Sequence, residues 1–250
     1  QQRNVGGFMK GILVKRLESS FHAFRNSVDR FCISYANFIE MFKKGTVYIS
    51  NKVDVFDLLE NDDTETLEQM VSEDKVQKYP SAHFKEDYLA DLEHDLAILL
   101  EIQSIWKTVK EDPKLDAFKS ELSNNKYLKS KTVIVFTESK ETAEYLHSSL
   151  SVHYKDSIFT YSSKGGMQHG TGGYISSHIS RDLIIENYDP NAQTQQDKIK
   201  VLITTDILAE GINLHRSNVI INYDMPWNPT RVLQRVGRIN RIGTKHKKVH

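Results

Sequence analysis

At 250 residues, with 39% hydrophobic and 26% charged residues, the chain is long enough to bury a real core as one large domain or two modest ones, and its make-up is that of a globular protein. Thirty-three Lys and Arg balance thirty-three Asp and Glu, so net charge points to no anionic partner. The single cysteine, Cys32, excludes an intrachain disulfide, argues against a structural zinc cluster and fits a reducing, cytoplasmic setting; no apolar run reaches membrane-spanning length and the start carries no signal-peptide pattern.

Charge is spread unevenly. Positions 54–74 hold nine acidic residues and no basic one, whereas 231–248 hold seven Lys or Arg and no acidic one. Both ends read as cut from a longer chain, the closing KHKKVH as the first residues of a strand. No internal repeat or low-complexity tract is present.

Positions 11–42 predict a helix, with Leu13, Leu17, Phe21, Phe24, Val28, Phe31 and Phe38 at helical spacing. Lys15 and Arg16 are two surface cations on it. The stretch 47–59 fits no single element, and the acidic run behind it is expected to be exposed and mobile, because nine uncompensated carboxylates are costly to bury. Positions 83–110 give the longest helical pattern, through Leu89, Leu92, Leu96, Leu99 and Trp106, and its period suits an antiparallel pair with the first helix. Within it, Asp91-Leu92-Glu93-His94 superficially matches an acidic ATPase box. That box ends a buried strand and this tetrad lies mid-helix, so it is read as structural.

Asp112-Pro113 stops the long helix and starts another, with Pro113 near its first turn. The division expected is therefore a mostly helical region over 1–110 and an α/β domain over 111–250. The run 132–136 (TVIVF) is a buried strand. Thr137-Glu138-Ser139 stands at its carboxyl end, where open α/β sheets bind ligands, and 141–150 is a helix. The glycine-rich stretch 162–173 (SSKGGMQHGTGG) lacks the G-x-x-x-x-G-K-S/T order of a phosphate loop. It is read as a mobile loop in which Lys164 is a candidate backbone contact. A short helix over 181–188 and a polar connection over 189–197 follow.

The stretch 200–243 (KVLITTDILAEGINLHRSNVIINYDMPWNPTRVLQRVGRINRIG) organises the rest. Val201-Leu202-Ile203 is a buried strand, Thr204-Thr205-Asp206 caps a short helix that Gly211 breaks, and 218–222 is a second strand. Asn228 is an N-cap and Pro229 the first residue of a helix carrying Arg231, Arg235 and Arg238, with Arg241 at or past its end. At about 100° per residue these four arginines fall within roughly 120° of one another. Such a stripe repels itself unless an anion lies against it. It is either a solvated basic face or a phosphate-binding one, and arginine rather than lysine suits bidentate contact with phosphate oxygens.

Gln234-Arg235-Val236-Gly237-Arg238-Ile239-Asn240-Arg241 resembles the sixth motif of superfamily-two helicases, Q/H-R-x-G-R-x-x-R. The run from Ile203-Thr204-Thr205-Asp206 to Glu210-Gly211-Ile212-Asn213 resembles their fifth, and the strand-cap-helix around Thr137 and Ser139 their fourth. Asp112-Pro113-Lys114-Leu115 and Lys15-Arg16-Leu17-Glu18-Ser19-Ser20 are similar to segments of the Swi/Snf-related branch, especially bacterial members like the RNA-polymerase-associated ATPase. The resemblance implies a RecA-like parallel sheet flanked by helices: the second motor domain of an ATP-driven translocase, with duplex DNA as the favoured track and a first RecA-like domain of the same protein as its partner. ATP and magnesium are the implied cofactors. The phosphate loop and magnesium-holding acid are not found in this chain, and the family places both in the first domain.

Residue by residue, Arg238 and Arg241 match the finger arginines that reach the γ-phosphate, and Gln234 and Arg235 match positions that support the site. Gly211 and Asn213 match contacts to the nucleotide ribose, where relatives often carry Asp at the second position. Thr205 matches a residue touching a nucleic-acid phosphate. Thr137 and Ser139 are either backbone contacts or simple helix caps. A second reading, a docking module that keeps the fold without catalysis, has no need of arginines at 238 and 241.

Overall fold

The computed structural model describes residues 2–49, 77–129, 131–209, 211–240 and 248–250. The acidic run 54–74, Glu210 and Arg241 lie outside the described residues. The chain divides into two compact units, Gln1–Glu111 and Asp112–His250.

In the first unit, α1 (Gln2–Ser19) and α2 (Phe21–Lys43) replace the single helix expected over 11–42. The break is at Ser20, whose extended backbone and hydroxyl, accepting from the Ala23 N–H at 3.0 Å, make it the N-cap of α2. Arg16 is buried rather than a surface cation. β1 (Thr46–Ile49) and β2 (Gln77–Pro80) pair antiparallel. The long helix α3 (Tyr88–Thr108) runs antiparallel to α2: Trp106 packs on Phe21 and Phe24, Gln103 donates to Asp29 at 2.7 Å, and Glu93 meets Lys43 at 2.6 Å near the other end. Ile12, Phe24, Val28, Phe31, Cys32 and Leu99 form this unit's core. The Asp91–His94 tetrad sits inside α3, as its rejection as an acidic box requires.

The second unit opens with α4 (Pro113–Asn124), whose N-cap Asp112 accepts from the Leu115 N–H at 3.0 Å while Pro113 takes the first turn. After α5 (Lys126–Lys129) come β3 (Val133–Phe136), α6 (Lys140–Tyr154), β4 (Ile158–Ser162), β5 (Gly165–Gln168), α7 (Ser177–Tyr188), β6 (Val201–Thr204), β7 (Val219–Asn222) and α8 (Pro229–Gly237). The sheet order is β5-β4-β6-β3-β7. Four strands are parallel, and β5 is an antiparallel edge. Alternation divides the core: Val133, Val135, Val201 and Ile203 face α4 and α6, whereas Ile134, Phe136 and Leu202 face α7 and Leu208, Ile212 and Leu214. At the far edge, His250 exchanges backbone hydrogen bonds with Asn218 and Ile220 beside β7.

The glycine-rich stretch is not a mobile loop throughout, because its first half is a two-residue hairpin closing the sheet. Gly166 pairs with Ile175 through two backbone bonds of 2.7 and 2.9 Å. A Cβ on Gly166 would stand 2.4 Å from Ser180 Oγ and 2.5 Å from a Phe159 ring carbon, and one on Gly165 2.2 Å from the Ile175 carbonyl oxygen, so these two glycines serve close packing, whereas Gly170, Gly172 and Gly173 face open space. Lys164 lies in the exposed turn, its Nζ 5.8 Å from the Tyr174 ring centroid.

Where α6 hands over to β4, Lys155 has φ 43° and ψ −122°, a conformation natural to glycine and strained for a side chain. Lys155→Gly should therefore raise stability by about 1 kcal/mol despite the added freedom of the unfolded chain. Urea unfolding checks this, and a fall in midpoint would show the strain is relieved some other way.

Candidate functional site

The functional elements meet at the carboxyl end of the sheet. Phe136 on β3 is in register with Thr204 on β6 and Asn222 on β7. Two residues beyond each of these stands a carboxylate: Glu138, Asp206 and Asp224. Parallel pairing carries one chemistry off three strands to one rim.

Arg235 anchors this rim. It is fully buried. Its Nε and Nη2 donate to the two carboxylate oxygens of Asp206 at 2.6 and 3.0 Å, its Nη1 donates to Asn222 Oδ1 at 2.8 Å, and its guanidinium carbon lies 5.2 Å from the Phe136 ring centroid. Every face of the group is engaged, in the fork geometry that makes arginine the preferred cation for a buried pair. Arg231, one turn earlier, is half exposed; its Nη1 donates to Glu138 at 3.1 Å and lies 3.5 Å from Asp206. The anion required by the arginine stripe is therefore supplied from within for these two members.

Asp224 is buried and accepts from the Thr137 hydroxyl at 2.5 Å and from the Glu138 N–H at 2.8 Å. The Thr137 oxygen in turn accepts from the Ser139 N–H at 3.2 Å, and the Ser139 hydroxyl caps α6 at the Thr142 N–H. Both side chains are buried. Of the two readings of these hydroxyls, backbone contact or helix cap, the bonds they make here are those of caps. They cap the helix and tie β3 to β7, and solvent does not reach them.

Arg238 is different. It forms the C-cap of α8, its carbonyl accepts from the Leu214 N–H at 3.1 Å, and its half-buried side chain has no hydrogen-bond or ion-pair partner among the described residues. Gln234 is exposed on the same helix. Gly211 is exposed with φ 84°, and a Cβ there would stand 3.0 Å from an Arg181 guanidinium nitrogen, so glycine is needed for conformation and for space alike. The half-buried Asn213 turns its amide toward Asp189 at 3.3 Å. Thr205, half buried, starts the 3-10 turn Asp206–Ala209 by accepting from the Leu208 N–H at 3.2 Å. Thr205, Gln234, Arg235 and Arg238 thus belong to one neighbourhood, whereas Lys164 sits in the turn between β4 and the edge strand β5, at the same end of the sheet but on the other side of β6 from β3 and β7.

Reading the sequence by motif missed Glu138 and Asp224 as site residues, and took Asp206 only as a cap. A signal was present. Each apolar strand run is followed, two positions on, by an acid: VIVF-TE, VLIT-TD, VIIN-YD. These carboxylates face arginines and backbone donors, and among the described residues no three His, Cys, Asp or Glu gather to hold a metal ion. A cleft of about 350 Å³ lies away from the rim, between α6 and the hairpin, lined by His147, Gln168, His169 and Tyr174. His147 bonds Thr160 at 2.9 Å, and burial, with His169 nearby, pulls its pKa below the usual imidazole range.

Residues 113–243, just over half of the chain, match the family described as helicase conserved C-terminal domain. The chain belongs to that family. Over 118 residues it is 38% identical to the uncharacterized ATP-dependent helicase YqhH of Bacillus subtilis (strain 168), covering 47% of this chain and 18% of that protein. It is 31% identical over 116 residues to the ATP-dependent RNA helicase DBP5 of Candida albicans, covering 44% and 18%. The match thus spans less than a fifth of these relatives. Among solved structures, the C-terminal part of the Fun30 ATPase domain aligns with 98% of this chain and 78% of its own at 16% identity and a TM-score of 0.41.

Removing one partner of a buried pair leaves an uncompensated charge, which costs about 3–5 kcal/mol. Asp206→Ala should lose stability on that scale, and Asp206→Asn, which keeps an oxygen for Arg235, less. Equilibrium urea unfolding reads both. A loss for Asp206→Ala below about 1 kcal/mol, the scale of an exposed pair, would mean that water reaches Arg235 and that it does not anchor the rim.

Proposed function

We propose that this chain is the C-terminal motor half of an ATP-driven nucleic-acid translocase of the Swi/Snf-related branch, with duplex DNA as its track. Its partner is a first RecA-like domain of the same protein, which holds magnesium and most of the phosphate contacts. The observation that carries the reading is the different fate of the arginines on one helix. Arg235 is spent inside the protein, whereas Arg238 stands at the end of the same anchored helix with its guanidinium uncommitted among the described residues. An arginine held by a rigid scaffold and left without a partner among the described residues suits a charge that arrives from outside.

In this reading Arg238, with Arg241 three residues on, meets charge developing on the γ-phosphoryl oxygens, so it acts on turnover more than on ATP binding. Gly211 leaves open backbone, and Asn213 a carboxamide, for the nucleotide's sugar; Gln234 supports the same cleft. Thr205, at the amino end of its turn, contributes to the nucleic-acid track. ATP dependence is supported by the names of YqhH and DBP5. DNA as the track rests on the resemblance of Asp112-Pro113-Lys114-Leu115 and the preceding helices to the Swi/Snf-related branch. DBP5, named an RNA helicase, makes single-stranded RNA the comparison substrate in any assay.

In the complete protein, Arg238→Ala or Arg241→Ala should lower kcat by on the order of 10³-fold, as loss of arginine fingers does, with ATP affinity and nucleic-acid affinity little changed. Steady-state ATPase assays with duplex DNA or RNA, alongside nucleotide binding, measure this. Normal turnover with weakened nucleic-acid binding would instead make these residues part of a backbone-binding stripe.

The isolated chain should hydrolyse no ATP, since half of the cleft belongs to the other domain. Nucleic-acid-stimulated turnover from this chain, purified free of other ATPases, would overturn that division of labour.

A further inference from the structure

We infer that Arg231 is a second anion site on this rim, guarded by Glu138, and that it takes a phosphate oxyanion by exchanging it for that carboxylate. Arg235 and Arg231 lie one helical turn apart and share Asp206, yet they are held very differently. Arg235 is fully buried and gives three donors to Asp206 and Asn222. The Arg231 side chain is 50% exposed, bonds Glu138 through a single nitrogen at 3.1 Å, and only approaches Asp206 at 3.5 Å. An exposed, singly bonded pair is weak and is screened by salt. A bidentate phosphate contact is the stronger partner for the same guanidinium.

Glu138 does not follow Arg231 into solvent. Its side chain is only 9% exposed, and its own N–H is tied to Asp224. When an anion takes Arg231, Glu138 stays behind as a fixed negative charge beside the incoming ligand. This carboxylate therefore sets a threshold: it lowers affinity for any phosphate that approaches the rim and makes occupancy depend on a ligand able to displace it. Position supports the assignment, because Arg231 lies in the first turn of α8, where an anion also meets the helix's positive end. The Asn228 side chain caps one N–H of that turn, at Thr230.

This inference deepens the reading of the chain as part of a nucleic-acid motor. The same chemistry is offered by a nucleic-acid backbone and by a nucleotide's phosphate tail, so two probes are needed. The isolated 250-residue chain and its Glu138→Gln and Arg231→Gln variants should be titrated, across a range of salt, with a fluorescein-labelled 20-base-pair DNA duplex and with inorganic tripolyphosphate. Thermal unfolding of each variant separates loss of a site from loss of fold. Glu138→Gln should tighten binding of one probe about threefold to tenfold. Arg231→Gln should weaken that same probe by a similar factor and, for the duplex, lower the salt slope by about one.

A response to the duplex assigns the site to the track. A response confined to tripolyphosphate upholds the site but assigns it to the nucleotide, and if the chain then binds no duplex, the nucleic-acid reading fails while this inference stands. If folded Glu138→Gln and Arg231→Gln match the parent chain with both probes, whether or not the parent binds, the exchange is overturned.

Discussion

The rim of this domain depends on one ion pair, the fully buried Arg235 with the partly buried Asp206. Burying two charges is costly and is repaid only by near-complete hydrogen bonding. Here both carboxylate oxygens and all three guanidinium nitrogens are engaged, with Asn222 and Phe136 completing the surroundings. The pair joins α8 to the turn after β6, and Asn222 adds the end of β7. Because the geometry tolerates little displacement, it fixes how α8 lies across the sheet. The positions of Arg231 on one side and Arg238 at the end follow from it.

Around that pair the rim is nearly self-neutralising. Three carboxylates leave three parallel strands in register, and each is occupied: Asp206 by Arg235, Glu138 by Arg231, Asp224 by Thr137 and a backbone N–H. A basic helix can therefore sit on a sheet without a ligand present. The hold on each arginine varies along it. Arg235 has no exposure and both oxygens of Asp206, Arg231 is half exposed with one bond to Glu138, and the half-buried Arg238 has no ion-pair partner among the described residues. The hydroxyls of Thr137 and Ser139, which the motif left open between ligand contact and helix cap, help hold β3, α6 and the residues after β7 together.

The glycines also have separate tasks. Gly211 combines a left-handed backbone with an arginine packed against it, while Gly166 lets two backbone segments and Ser180 close on the edge strand. Glycine content in 162–173 suggested one mobile loop. The difference arises because close backbone approach and chain flexibility use the same residue type, and only the neighbours of the missing Cβ tell them apart.

Much of this chain was legible in its residues. Apolar runs at 132–136, 201–203 and 218–222 marked three of the four parallel strands, because a strand covered on both faces is mostly apolar, whereas β4 (IFTYS) interrupts its apolar residues with Thr160 and was not marked. Asp112-Pro113 and Asn228-Pro229 marked helix starts, since capping and the fixed φ of proline act locally. The fifth and sixth motifs identified the family for the same reason: their order lies along the chain. What the linear sequence left open was which charge meets which. Asp206 and Arg235 are 29 positions apart, Glu138 and Arg231 are 93, and Thr137 and Asp224 are 87. Helical periodicity gathered four arginines into one stripe, but only strand register brought the carboxylates to them. Which of those arginines is buried against a carboxylate and which stays half exposed was decided by tertiary structure, because burial and partner geometry do not follow from residue type.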